Sequence, residues 1–152
     1  MAASYNVKEF LSTSPVFGDL DSDAVEALSS SMFVDYHHHH HIFCRQGAIA
    51  DTLYLLLDGT VELRVVDEAT DEEMEPKVLH TGDMFAQLSL SDDLPMESTA
   101  IGIGKTVTAG LTKENYDSIK HKHPAIAFAF LFIAASQMSR ELQDLNARSR
   151  KI

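Results

Sequence analysis

Five consecutive histidines, His37 to His41, are the densest run of reactive side chains in the sequence. In extended backbone, successive side chains point to opposite faces, so His37, His39 and His41 share one face and His38 and His40 the other. Imidazole suits Zn, Ni and Cu. A dedicated site also needs closed geometry and groups that orient the rings, so the run reads as an exposed hairpin without a resident metal. His121 and His123 flank Lys122 just before Pro124 and read as a solvated loop. Cys44 lies in the apolar word Ile42-Phe43-Cys44, where a free thiol behaves as a small hydrophobe. Its one basic neighbour, Arg45, alternates to the other face, which argues against a nucleophile. Gly102-Ile103-Gly104-Lys105-Thr106 looks superficially like part of a phosphate loop. It lacks the preceding spacer glycine and a following helix, and reads as a strand ending in a turn. No Ser-His-Asp order, Walker loop, HExxH or paired-carboxylate motif stands out. The expectation is a non-enzyme with no catalytic residue.

These residues must be positioned by a chain of 152 residues, with 12 Lys and Arg against 23 Asp and Glu and a formal charge of −11. That length supports one domain with a real core. Hydrophobic residues at 45% and charged residues at 23% are ordinary globular composition. The acidic balance argues against a nucleic-acid partner, whose phosphates call for Lys and Arg. No apolar run approaches the ~18 residues of a membrane span, and Met1 to Leu11 lack the pattern of a signal peptide. A single cysteine fits a reducing cytoplasm.

Val7, Phe10 and Leu11 share a helical face that ends at Ser14-Pro15. Asp21 is placed to cap a second helix running to about Ser30, with Leu20 and Val25 as a hydrophobic staple. From Met32 to about Gly110 the runs are short and rich in β-branched and aromatic residues. Candidate strands are Met32–Tyr36, Ile42–Arg45, Thr52–Leu57, Val61–Val66, Lys77–His80, Thr99–Ile103 and Thr106–Ala109. Asp58-Gly59 between two of them predicts a type I′ hairpin turn. Asp67 to Glu75 carries six acids in nine residues and predicts a solvated hairpin loop. Thr112 predicts a cap for a short helix bearing Tyr116 and Ile119. Pro124 opens a long helix of roughly 27 residues, about 40 Å at 1.5 Å per residue.

Three local words accompany this order of elements: Asp51-Thr52-Leu53-Tyr54-Leu55-Leu56-Leu57-Asp58-Gly59-Thr60-Val61-Glu62-Leu63, Leu79-His80-Thr81-Gly82-Asp83-Met84-Phe85, and Pro124 at the head of the last helix. With them the chain resembles the cyclic nucleotide-binding domain family, which includes sensor domains of catabolite-activator-type regulators and regulatory domains of cyclic-nucleotide-dependent kinases and channels. The resemblance runs from about Phe10 to Asn146. It implies a mainly β fold: a β jelly roll with N-terminal helices and a long C-terminal helix, as one domain over 1–152. The helices and jelly roll take up about 10–110 and the C-terminal helices 112–150. The DNA-binding domain of the activators has no counterpart in this sequence.

The resemblance also implies a phosphate-binding cassette, usually worded Phe-Gly-Glu-(Leu/Ile)-(Ala/Ser)-Leu, a spacer, then Pro-Arg-(Ser/Thr/Ala)-Ala. There, Gly lets backbone N–H groups approach the phosphate, Glu accepts from the ribose 2′-hydroxyl and Arg bonds the phosphate. Here the stretch reads Phe85-Ala86-Gln87-Leu88-Ser89-Leu90, then Asp92-Asp93-Leu94-Pro95-Met96-Glu97-Ser98-Thr99-Ala100. Ala86 replaces Gly, Gln87 replaces Glu, and Met96 or Glu97, depending on a one-residue register choice, replaces Arg. Losing an ionic bond to a buried phosphate costs roughly 1.5–3 kcal/mol, about ten- to a hundredfold in affinity. The ligand contacts implied are Phe85, Ala86, Gln87, Leu88, Ser89, Met96, Glu97, Ser98 and Thr99. Asn146 joins them at the base end, where Leu145 and Asn146 match the Thr-Ser pair of activator-like members. No cofactor is expected, and a cyclic nucleotide is the ligand whose phosphate partner is missing.

Along the last helix, Phe128, Leu131, Ala135, Met138, Leu142 and Leu145 follow a heptad spacing. They predict a homodimer seam, while Phe130, Ile133 and Ala134 face the β domain. Two functions follow. One is a regulatory sensor of a small-molecule effector that signals through this helix. The other is an interaction or dimerisation module that binds no nucleotide.

Overall fold

A computed structural model of the chain describes the backbone of residues 5–149, and side chains as far as Arg140 with Gln143 beyond it. Helix α1 (Val7–Thr13) is capped by Asn6 and α2 (Ser22–Ser31) by Asp21, whose Oδ1 accepts from Ala24 N at 2.8 Å. Val25 is buried and Leu20 packs on the same core, as the staple predicts.

Strands β1 (Phe33–His37), β2 (Ile42–Cys44), β3 (Thr52–Arg64), β4 (Lys77–Leu79), β5 (Met84–Phe85) and β6 (Thr99–Thr112) follow. All pairings are antiparallel, in the order β1-β6-β3-β4, with β2 also on β6 and β5 also on β3. Strands β3 and β6 pair from Thr52↔Thr112 to Arg64↔Thr99. Each long strand spans two of the seven candidate runs, and β5 adds a strand that was not among them.

One expectation fails here. Asp58-Gly59 is not a hairpin turn but lies inside β3, where the register with β6 slips on both sides of Asp58. Gly59 has φ +99°, and a Cβ there would stand 2.6 Å from the Lys105 carbonyl oxygen. The backbone freedom that suits a turn is used for a bulge that bends both strands together. For the same reason Gly102 to Thr106 does not end a strand but crosses the bend within β6.

The bulge also switches faces. Before it, Leu53, Leu55 and Leu57 pack toward the helices, while Tyr54 and Leu56 point into the jelly roll. After it, Val61 and Leu63 point inward. One core therefore lies between sheet and helices, and a second fills the barrel beside the Gln87–Leu90 turn.

Thr112 Oγ1 accepts from Asn115 N at 3.0 Å and starts α3 (Lys113–Lys122). Helix α4 (Pro124–Ser149) follows. Phe130 and Ala134 are buried and Ile133 packs on the same core, so this side docks as its spacing predicts. Its outer side leaves Phe128 70%, Leu131 40% and Phe132 65% exposed. Phe132 widens the apolar stripe beyond the heptad positions. Among the described residues, no helix is long and apolar enough to cross a membrane.

Candidate ligand site

The cassette stretch is a turn hung between β5 and β6. Phe85 ends β5, Ala86 turns left-handed at φ 59° and ψ 36°, and Gln87–Leu90 form a 3-10 turn. The chain returns through Asp93, also at positive φ, and Pro95 bridges to Ile49. Ala86 thus holds, with a Cβ, a conformation that glycine adopts freely, at a cost of about 1–2 kcal/mol.

Gln87 is 6% exposed, and its Nε2 donates to the Met84 carbonyl at 3.2 Å. Its Oε1 is buried without a hydrogen-bond partner. The same Met84 carbonyl accepts from Gln137 Nε2 at 2.8 Å, and Met84 N donates to Gln137 Oε1 at 3.0 Å. The long helix is thereby clamped to the strand that launches the cassette. Sequence reasoning missed Gln137; its signal was a lone polar residue on the buried Phe130-Ala134 face.

Met96 is 2% exposed and packs among Phe43, Cys44, Phe85 and Ala86. Ser89 Oγ donates to its Sδ at 3.7 Å. Its backbone is fixed by Gly47 N to Met96 O and Met96 N to Ala48 O, both 2.8 Å. Of the two register choices, Met96 is therefore the residue that points at the cassette turn. Glu97 is half-buried, with Oε2 lacking a partner. Ser98 is buried beneath it, its carbonyl 3.7 Å from Cys44 Sγ, and Thr99 Oγ1 accepts from Gln46 N at 2.9 Å. Leu88 packs against the inner core. Beside the turn, Phe43, Tyr54 and Phe85 pack with ring centroids 5.0–5.2 Å apart.

The nearby charges are acidic. Asp92 is paired to Lys113 at 2.8 Å, which holds its carboxyl below the usual range. Lys113 also binds Asp117 at 2.8 Å, and the two carboxylates raise its ammonium. Lys105, the next basic residue after the cassette, lines a separate cleft at the β3–β6 bulge. Leu142, Leu145 and Asn146 lie on α4, but their side chains fall outside the described residues.

The histidines form the β1–β2 turn, with His40 left-handed at φ 64°. His37 and His41 do stack, at 4.3 Å, and each meets the Phe43 edge. His39 Nδ1 accepts from Gly104 N at 2.6 Å. Among the described residues no three candidate metal ligands converge.

Cys44 is buried, and burial pushes its thiol from 9.0 up to about 11, with Glu97 adding to the rise. At pH 8 the native thiol should react with iodoacetamide roughly a hundredfold more slowly than in the urea-unfolded chain. Mass spectrometry of timed samples checks this; equal rates would contradict it. Because the folded value is the higher one, native stability is full below pH 9 and falls as pH climbs toward about 11.

A family model described as a cyclic nucleotide-binding domain matches residues 35–123, more than half of the chain. A Drosophila melanogaster cGMP-dependent protein kinase, isozyme 2, is 29% identical over 124 residues, 76% of this chain and 13% of the kinase. The chain thus spans about an eighth of that relative. A solved cyclic nucleotide-binding domain from Methylobacillus flagellatus superposes with TM-score 0.80 at 17% identity, covering 94% of this chain and 80% of that one. The Thermus thermophilus catabolite activator protein gives 0.71 at 24% identity, covering 90% and 63%. At these identities the two structures speak for the fold alone. The family match, the cassette turn between β5 and β6 and the long docked helix agree: the chain belongs to the cyclic nucleotide-binding domain family.

Proposed function

We propose that this domain is a regulatory module whose cassette has lost the charge that holds a cyclic phosphate, and that it signals through self-association of α4. The observation that carries this reading is Met96, buried against Ser89 and Ala86 where the family's arginine would reach the phosphate. A thioether offers no charge-assisted bond, and Glu97 with its unpartnered oxygen adds repulsion. Gln87 retains an acceptor, Oε1, so a donor-bearing neutral effector suits the pocket better than an anion. Met96→Arg should strengthen cyclic AMP binding at least tenfold, and more than Glu97→Arg does, with melting curves confirming that both variants fold. No gain from Met96→Arg, or a greater gain from Glu97→Arg, would overturn the assignment.

The outer stripe of α4 supports the self-association. Phe128, Leu131 and Phe132 expose apolar rings and chains, each worth roughly 1.5–3 kcal/mol once buried. A two-fold isologous contact covers them with their own copies and continues along Ala135, Met138, Leu142 and Leu145. Leu131→Glu with Met138→Glu should give a folded monomer by light scattering. A wild type already monomeric at ~100 μM would contradict the seam, since several such burials outweigh the association cost. The competing role, an interaction module without any effector, is favoured by the same filled cassette. It differs in predicting that no small molecule protects the Gln137–Met84 clamp from hydrogen exchange.

A further inference from the structure

At the β3–β6 bulge, lined by none of the cassette residues, lies an open cleft of about 410 Å³. That is within the range of small-molecule sites. Tyr5 and Tyr36 form its aromatic walls, with ring centroids 6.1 Å apart and planes at 63°. Tyr5 is held in place by its phenol, which donates to Asp58 Oδ2 at 2.6 Å. That bond ties one oxygen of Asp58, the carboxylate of the lining, to the Tyr5 wall without cancelling its charge, so an anion fits only on the Lys105 and His38 side. Lys105 and His38 are the exposed polar groups of the lining, beside half-buried His37 and buried Thr106. Among the described residues no carboxylate pairs with Lys105. Val107 completes the apolar lining.

The chemistry is that of an aromatic-walled slot with a cation at one end. A flat ring packs against Tyr36, itself 56% exposed, in offset or edge-on geometry. An acid group on that ring meets the Lys105 ammonium and a His38 nitrogen in charge-assisted bonds. We infer that this cleft is a second ligand site, separate from the cassette, for a planar aromatic molecule carrying an anionic group. The site does not depend on whether the cassette binds a nucleotide. An arene carboxylate and an aryl phosphate share the required chemistry.

Proton–nitrogen correlation spectra of the full chain test it, with 2-naphthoate, phenyl phosphate and 2-naphthylmethylammonium as probes. The expected result is saturable shifts at the amides of Tyr36, His38, Gly59 and Lys105 with at least one of the two anions, the tighter one identifying the acid group. The ammonium probe should bind at least tenfold more weakly. Lys105→Ala should weaken the anion at least fivefold, as should Tyr36→Ala, while thermal melts stay unchanged. Equal binding of the cation, shifts confined to the Phe128 and Phe132 face of α4, or no shifts with either anion at 10 mM would overturn the site. Should Tyr36→Ala fail to fold, the charge series and Lys105→Ala decide alone.

Discussion

Replacing Gly59 with alanine should destabilise the domain by about 3 kcal/mol or more, lowering Tm by roughly 6–12 °C for a domain of this size. Two costs combine. The residue sits at φ +99°, where a side chain is strained, and the new Cβ would stand 2.6 Å from a backbone carbonyl oxygen that cannot swing away. Gly82 supplies the control: its φ is +98°, but nothing lies within 4 Å of its Cβ position. Gly82→Ala therefore bears the backbone strain alone, about 1 kcal/mol. Thermal unfolding followed by circular dichroism compares the two, and equal losses would remove the bulge contact from the account.

The second large effect is at Phe130. Its side chain is fully buried and stacks with Phe17 at 6.5 Å, joining α4 to the turn between α1 and α2. Phe130→Ala should cost about 3–5 kcal/mol. Phe128→Ala, two residues earlier on the exposed side, should stay within about 0.5 kcal/mol when measured at a concentration where the chain is monomeric. Because Gln137 lies two turns further along the same buried side, loosening Phe130 should also speed hydrogen exchange at Met84. A Phe130→Ala protein as stable as wild type would mean that α4 does not dock through this face.

Those two positions differ in how far the sequence exposed them. Phe130 was legible because a helix repeats every 3.6 residues, so its spacing from Ala134 and Ile133 sorts one side from the other. The caps at Asp21 and Thr112 were legible because each satisfies a local N–H within three residues. Gly59 was read correctly as a positive-φ residue but wrongly as a turn. Local sequence carries the dihedral preference; whether the chain reverses there or bulges depends on β6 supplying a partner some 45 residues later in the chain, at Val107 and Ile103. β5 escaped notice because two residues are too few to show a period. At the site, the sequence left Met96 and Glu97 as alternatives, and the contact of Met96 with Ser89 that favours the first is made across seven residues and has no local signature. The Gln137–Met84 clamp joins residues 53 apart in sequence, and no local pattern announces such a pair.

The Lys113–Asp92 pair has a further consequence for the cassette. It links the spacer after the 3-10 turn to the first residue of α3 through a solvent-exposed ion pair. The stronger hold on the cassette is the buried Gln137 clamp before it; the exposed Lys113–Asp92 pair after it adds little. Within that frame the buried side chains at the turn include a methionine, Met96, and Gln87 with its unpartnered Oε1.

Calorimetric titration of the unmodified protein with cyclic AMP and cyclic GMP tests this account most directly. With a thioether in place of the phosphate's cation and Glu97 beside it, both nucleotides should bind more weakly than about 10 μM or give no heat of binding. A dissociation constant of about 10 μM or tighter for either one would contradict the claim that the cassette has lost its phosphate site.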